Sequence, residues 1–160
     1  MGHFIHDEHT YLVWATSVAS IAAPTVAEAN AGANLSTYLP ADGLKRGAKE
    51  QRVDDGNITT RHENEFIGTY GHNIELTLLE DDGSGSDLAL TTFQAGYVNG
   101  FLLIRRKLLY TTAPAIGQKW EVYPAQSGPV KLADTARGAR ATFGVAIAVT
   151  SAPNKFATMA

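Results

Sequence analysis

A mainly β fold is what this sequence predicts: two antiparallel sheets, packed as a sandwich or closed as a barrel, with one or two short helices and a long polar loop. Three observations carry that expectation. Apolar residues alternate with polar ones at a period of two through most of the chain. Gly, Asn and Asp interrupt the alternation often, and no helical pattern separates successive strands at the spacing of a parallel crossover. The 160 residues, 44% of them apolar, suit a single domain over 1–160 whose core needs no disulfide, and the chain has no cysteine. That absence removes thiolate metal sites, iron–sulfur clusters and cysteine nucleophiles together.

Tyr11-Leu12-Val13-Trp14-Ala15 reads as the first strand, after an N-terminal arm over 1–10. A short helix is expected over 23–32, where Pro24 stands near the start, alanines fill the interior and Gly32 closes it. Leu35, Thr37 and Leu39 alternate with Ser36 and Tyr38 in a second short strand that Pro40 ends. Residues 40–57 hold three glycines, four basic and four acidic residues and almost nothing apolar, the composition of a long loop. Strands are then expected over 58–65 and 73–80, with Gly68 and Gly71 between them. In the second, Ile74, Leu76 and Leu78 share one face, and Glu75 and Thr77 the other.

The acidic stretch 80–86 reads as a turn, with Ser86 capping a helix from Asp87 through Phe93. Strands follow over 101–110, 120–123 and 130–132. The last strand, over 140–150, is the most informative. Phe143, Val145, Ile147 and Val149 fall on one face, whereas Thr142, Gly144, Ala146, Ala148 and Thr150 make the other small and smooth. Such a face lets another backbone approach closely, or lines a space that must stay open. Residues 151–160 read as a C-terminal arm. The total is seven or eight strands and two helices.

The formal net charge of −3 hides a split. Residues 1–100 hold five basic against fourteen acidic residues; residues 101–160 hold eight basic against Glu121 and Asp134. The two signs either interleave in the fold or let an acidic surface of one copy meet a basic surface of the next. Asp7 and Glu8 stand before the apolar run 12–23 where an export signal needs positive charge. No apolar stretch reaches the roughly 18–20 residues that span a bilayer, and Met1-Gly2 lacks the Ser or Thr at position 6 of a myristoylation signal. The chain reads as made in a cytoplasm, without membrane insertion.

Catalytic chemistry has no anchor. His3, His6 and His9, with Asp7 and Glu8 between, have the best metal-ligand spacing, yet at a terminus nothing identifiable orients the rings, so no metal is expected. His62, Glu63, Glu65 and His72 invite an acid–base reading, but strand alternation sends His62 and Glu63 to opposite faces. Gly83-Ser84-Gly85-Ser86 continues into neither a phosphate-binding loop nor a dinucleotide fingerprint, and no Gly-x-Ser-x-Gly or His-Glu-x-x-His occurs. Arg105-Arg106-Lys107 is the one basic cluster, and the net charge favours a solvated or subunit-contacting strand end over a nucleic-acid site. The sequons at Asn34 and Asn57 carry meaning only on a secretory route. The expectation is a protein that is not an enzyme and uses no cofactor.

Ala23-Pro24-Thr25-Val26-Ala27-Glu28-Ala29-Asn30-Ala31-Gly32-Ala33-Asn34-Leu35-Ser36, a polar Asp-rich segment, Gly100-Phe101-Leu102-Leu103-Ile104-Arg105-Arg106 and a smooth final strand follow in that order. Together they resemble the major tail (tail tube) proteins of long-tailed bacteriophages across most of the chain. The resemblance implies a structural virion protein. Six copies would close into a ring, and rings would stack into a hollow tube assembled in the bacterial cytoplasm, with other tail proteins at its ends. One sheet of each subunit would line a lumen through which double-stranded DNA passes without specific binding, and a long loop would reach the next ring.

A lumen that passes a polyanion needs walls without basic character. The lumen candidates are therefore Glu63, Glu65, Glu75, Thr77, Thr142, Ala146, Ala148 and Thr150. Contact candidates between rings or subunits are Asp42, Lys45, Arg46, Lys49, Arg52, Asp54 and Asp55 in the polar segment, with Arg105, Arg106 and Lys107. Competing readings are a tube subunit of a contractile injection system, a non-enzymatic β-sandwich binding module for capsid decoration or host attachment, and an enzyme with a dispersed site.

Overall fold

The computed structural model describes residues 8–54, 65–81, 87–134 and 137–160. Along the chain run β1 (Thr10–Ala15), α1 (Val26–Ala31), β2 (Ala33–Asn34), a 3-10 turn at Ser36–Tyr38, β3 (Leu44–Asp54), β4 (Glu65–Leu79) and α2 (Leu88–Phe93). β5 (Asn99–Arg106), β6 (Lys119–Ser127), β7 (Lys131–Leu132), β8 (Thr142–Val149) and β9 (Asn154–Thr158) complete it. The strands order as β2-β1-β5-β6-β8-β4-β3, with β7 on β8 and β9 on β6. Every pairing is antiparallel. The sheet is open, so of the two expected architectures the sandwich-like one is found.

The sequence explains why the sheet folds over on itself. β1, β5 and β6 are apolar on both faces and form the middle layer. Leu12, Trp14, Leu102, Ile104, Tyr123 and Ala125 point one way, against Ile74, Leu76 and Leu78 of β4, Phe143, Val145 and Ile147 of β8, and Phe93 of α2. Tyr11, Val13, Leu103, Trp120 and Val122 point the other way, under Ala29 of α1 and Ala157 and Met159 at the C-terminus. Period-two alternation thus supplies two cores from one set of strands.

The layers join at β6. Its Lys119–Val122 stretch pairs with β9, and Ala125, Gln126 and Ser127 on the same edge pair with β8. Pro124 stands at the changeover. The Pro124 carbonyl accepts from Thr150 N, so its missing N–H faces the edge where partners change, and the β5 ladder loses no bond there. β6 therefore runs through the proline at which the expected 120–123 strand was to end.

Helix α1 follows its expected signals. Thr25 caps it in a capping box with Glu28, whose second carboxylate oxygen accepts from Ala19 N at 2.7 Å. These backbone donors hold the Glu28 carboxyl below its ordinary value. α2 is capped by Asp87, whereas the expected cap Ser86 and turn residues 82–86 lie outside the described residues.

Five expectations are corrected. The strand over 35–39 is instead a 3-10 turn: Asn34 Oδ1 accepts from Ser36 N within the turn, and Ser36 Oγ accepts from Leu12 N of β1, so side-chain bonds replace a ladder. The loop over 40–57 contains the 11-residue β3. Its polar composition does not alternate because from Lys45 to Arg52 it is exposed. Gly68 and Gly71 do not separate two strands but lie inside the 15-residue β4; residues 55–64, and with them most of the expected 58–65 strand, are outside the described set. The 101–110 strand stops at Arg106, where Lys107 turns at φ 77. The C-terminal arm over 151–160 contains β9, docked on β6 and bonded to the backbone at Ala22 and Pro24. Of the N-terminal arm, residues 1–7 are outside the described set.

Gly100 is fixed by crowding. A Cβ there would lie 2.7 Å from the Ala15 carbonyl oxygen and 2.8 Å from the Trp14 ring. Gly100→Ala is therefore expected to lower subunit stability by about 1–3 kcal/mol, read as a shifted urea midpoint at unchanged slope.

Candidate assembly surfaces

The register places most of the lumen candidates on one exposed face. On β4 and β8, Glu75 lies opposite Ala146, Thr77 opposite Gly144, Leu79 opposite Thr142 and Asn73 opposite Ala148. Directly opposed residues share a face, so Glu75, Thr77, Thr142, Ala146 and Ala148 are neighbours on the side away from the core. Thr150, exposed, follows β8. Glu63 lies outside the described residues, and Glu65 pairs with Asp54 at the far end of the β3–β4 ladder.

Two expected contact residues join this face as well. Lys45 is opposite Glu75 and Lys49 opposite Gly71, so the surface carries both signs and is not purely acidic. Its smoothness has no cause inside the subunit. A Cβ added at Gly47, Gly71 or Gly144 would meet nothing closer than 3.9 Å, and none of the three has positive φ. Glycine in a strand lowers stability by about 0.5–1 kcal/mol relative to alanine. Three such positions, beside Ala146 and Ala148, leave a face kept bare without local need.

Beyond the core, β3 and β4 continue together as a ribbon. Residues 45–52 of β3 and 69–70 of β4 are exposed. Lys45, Lys49 and Arg52 are on it, and Asp42 is exposed in the turn before it. Asp55 lies outside the described residues.

At the ribbon base a carboxylate is enclosed by two guanidiniums. Glu121 of β6 is 5% exposed; Arg46 Nη1 donates to its Oε2 at 2.5 Å, and Arg106 Nη2 lies 2.5 Å from Oε1 as an ion pair. Tyr123 also donates to Oε2, at 2.9 Å. Burial and the Glu121 carboxylate push the Tyr123 phenol up to about 12. Two contact candidates, Arg46 and Arg106, thus meet inside one subunit and close the open end of the core.

Arg105 is also corrected. Expected at a subunit contact, it is fully buried. Its Nη1 donates to Gln118 Oε1 at 2.9 Å, and its Nη2 to the carbonyls of Leu109 and Thr112 at 2.9 and 2.7 Å. The guanidinium carbon stacks 4.8 Å from the Tyr11 ring centroid and 5.5 Å from that of Trp120. Strand parity explains this: Arg105 shares the face of Leu103, toward the second core, while Arg106 shares that of Ile104. Lys107 is exposed at the strand end.

His72 is packed among aromatic rings. Its ring stands edge-on to Tyr70 and Tyr123, both with centroids at 5.8 Å, where the ribbon leaves the body. His62, Glu63 and the histidines at 3 and 6 lie outside the described residues. Among the described residues no three His, Cys, Asp or Glu side chains converge on a metal-holding position. No helix among them is long and apolar enough to cross a membrane.

A family model described as phage tail tube protein matches residues 1–160. The chain belongs to the phage tail tube protein family. It is thereby a structural component of a phage tail. No curated protein matches the tail tube chain in sequence. Among solved structures, it is similar to a chain in the "Cryo-EM structure of the anti-feeding prophage (AFP) baseplate, 6-fold symmetrised", with a TM-score of 0.56 and 8% identity, over 96% of each chain. At that identity the likeness is one of fold.

The environment of His72 gives a pH dependence. Burial and the Lys155 charge hold its pKa below the ordinary value, so the fold favours the neutral ring. The associated stability is full above about pH 6.5, the unfolded value, and is lost as pH falls through and below it. His72→Phe, which keeps an aromatic ring between the tyrosines, is expected to lose less stability than the unsubstituted protein between pH 7 and pH 5, measured by urea unfolding at each pH.

Proposed function

We propose that this tail tube subunit is a non-enzymatic building block whose copies close into six-membered rings, and that the rings stack into a hollow tube for double-stranded DNA. The observation that carries the reading is the bare face of β3, β4 and β8. Gly47, Gly71 and Gly144 give up strand stability with nothing in the subunit demanding it, and Ala146 and Ala148 continue the small-residue face. A smooth wall is useful where something slides past. Lys45 opposite Glu75 balances charge locally, whereas Lys49 opposite Gly71 and Lys131 opposite Gly144 leave positive charge at the margins of the face. Six-fold symmetry is supported by the six-fold baseplate that holds the chain of similar fold. In this reading the β3–β4 ribbon takes the part expected of the polar loop and reaches the next ring. Assembly would take place in the cytoplasm of the bacterial host.

The natural absence of cysteine makes the lumen assignment testable. Ala148→Cys in the free subunit is expected to react with both a small maleimide and one attached to a bulky polymer. In tubes seen by negative-stain electron microscopy, only the small reagent is expected to react at an undiminished rate. Equal reaction of both reagents in tubes would put this face on the outside.

Ribbon length is the second handle. Replacing residues 50–70 by Asn-Gly, a two-residue hairpin turn, keeps the paired Lys49 and Gly71 at its base. Folded subunits or single rings are expected, without long tubes. Tubes of ordinary length would remove the ribbon from ring stacking.

A further inference from the structure

The β3–β4 ribbon leaves the body at a defined level. β4 pairs with β8 from Leu79 back to Asn73, and His72 is the first residue beyond that pairing, opposite Ala48 of β3. Gly71 follows it outward, and Gly47 stands opposite Asn73. Each strand thus carries a glycine at the level where the backbone must flex if the ribbon swings. Among the described residues, two side-chain contacts tie this level to the body. Arg46 pairs with Glu121, and the His72 ring stands edge-on to Tyr123, whose hydroxyl also donates to Glu121.

The seat of the histidine suits an uncharged ring. Strand parity puts His72 at the outer end of the row Ile74, Leu76 and Leu78. Its Nε2 is buried with no hydrogen-bond partner among the described residues, and the rings of Tyr70 and Tyr123 flank it. A protonated imidazole carries two N–H donors, and both need an acceptor or water. The charges around the seat offer little help. Lys155 of β9 opposes a positive ring. Glu121 of β6, the buried carboxylate next to Tyr123, is already shared by Arg46 of β3 and Arg106 of β5. Glu50, opposite Tyr70 on the same face of the ribbon, is exposed.

Burial, and then the Lys155 charge, hold the ring toward its neutral form, so it charges only below the ordinary value of about pH 6.5. Open clefts border the ring on two sides. One, of about 350 Å³, lies beside Tyr97 and Gln126, and the other, of about 340 Å³, beside Tyr70 and Pro153. A displaced ring therefore has room to move into.

We propose that His72 is an acid-operated release for the β3–β4 ribbon. The neutral ring clamps the ribbon base on Tyr123. On protonation it leaves the aromatic seat for water and the exposed Glu50, and the ribbon pivots at Gly47 and Gly71 while both cores stay folded. The proton is taken from solvent and returned to it, so the release is reversible. A ribbon with one direction at neutral pH has many in acid. The device belongs to a single subunit and holds whether or not the ribbon joins rings.

The test adds Lys49→Cys on the ribbon and Thr91→Cys on α2 to the cysteine-free chain, both spin-labelled, in free subunits diluted with unlabelled protein. Pulsed electron–electron resonance then reads the distance distribution at pH 7.5 and pH 5.0. The distribution is expected to be roughly twofold broader at pH 5.0 and to narrow again on return to pH 7.5. The near-ultraviolet circular dichroism of the buried Trp14 and Trp120 is expected to stay unchanged. With His72→Phe, or with His72→Gln should the aromatic replacement fail to fold, the width is expected to be the same at both pH values. Equal widths in the unsubstituted His72 protein, broadening that persists without His72, or loss of the tryptophan signal in step with the broadening would each overturn the release. None of these outcomes bears on ring or tube formation, which is read separately by electron microscopy.

Discussion

The molecule depends on one strand serving two partners along one edge. β6 gives its first half to β9 and its last three residues to β8, with Pro124 at the switch. Were that edge paired to one strand throughout, β8, β4 and β3 would continue the sheet in one layer, and Ile74, Leu76, Phe143 and Val145 would face water. The switch turns the sheet over its own middle strands. Both cores follow from it, since β1, β5 and β6 then have cover on each side. A proline, usually excluded from a central strand, suits the place because its absent donor lies where no single partner spans the edge.

Folding the sheet leaves an open end to the first core, and the chain closes it with charge. Glu121 is nearly buried, between Arg46 from the ribbon and Arg106 from β5, with the Tyr123 hydroxyl on the same carboxylate. Removing both guanidiniums would strand the Glu121 carboxylate in a poorly solvated site. The arrangement also bears on the charge split of the sequence. Arg46 belongs to the acidic stretch and Glu121 to the basic one, yet they pair with each other; part of the split is interleaved within the subunit. The Arg105 cation is likewise used internally. What reaches the surface is smaller than the sequence totals suggest.

The legible parts of the sequence were those with a plain local signature. β1 could be read as a continuous apolar run, buried on both faces, and the helix over 23–32 from Pro24, its alanines and Gly32; the final strand could be read because one face meets a core and the other does not, with Phe143, Val145 and Ile147 against Gly144, Ala146 and Ala148. The ribbon was not legible, because a two-stranded element with water on both sides has no reason to alternate, and its glycines and charges read as loop. β9 was missed because its five residues are bulged, and only Ala157 among them is buried. Arg105 and Arg106 differ only by parity on one strand, and assigning parity required knowing that β5 is buried on both faces. At the candidate site, the shared face of Glu75, Thr77, Ala146 and Ala148 came from alternation alone, whereas the presence of Lys45 and Lys49 on it depended on a pairing the sequence does not announce.

A long edge strand in a free subunit invites uncontrolled pairing, and β3 is such a strand, bonded to β4 on one side only among the described residues. Lys45, Arg46, Lys49, Glu50 and Arg52 along it are the kind of residues that keep an edge soluble. The same segment must still meet other copies if the ribbon serves assembly. In the proposed assembly the charges serve both demands: they hold off unspecific partners, and only a copy that presents complementary groups in register would meet them.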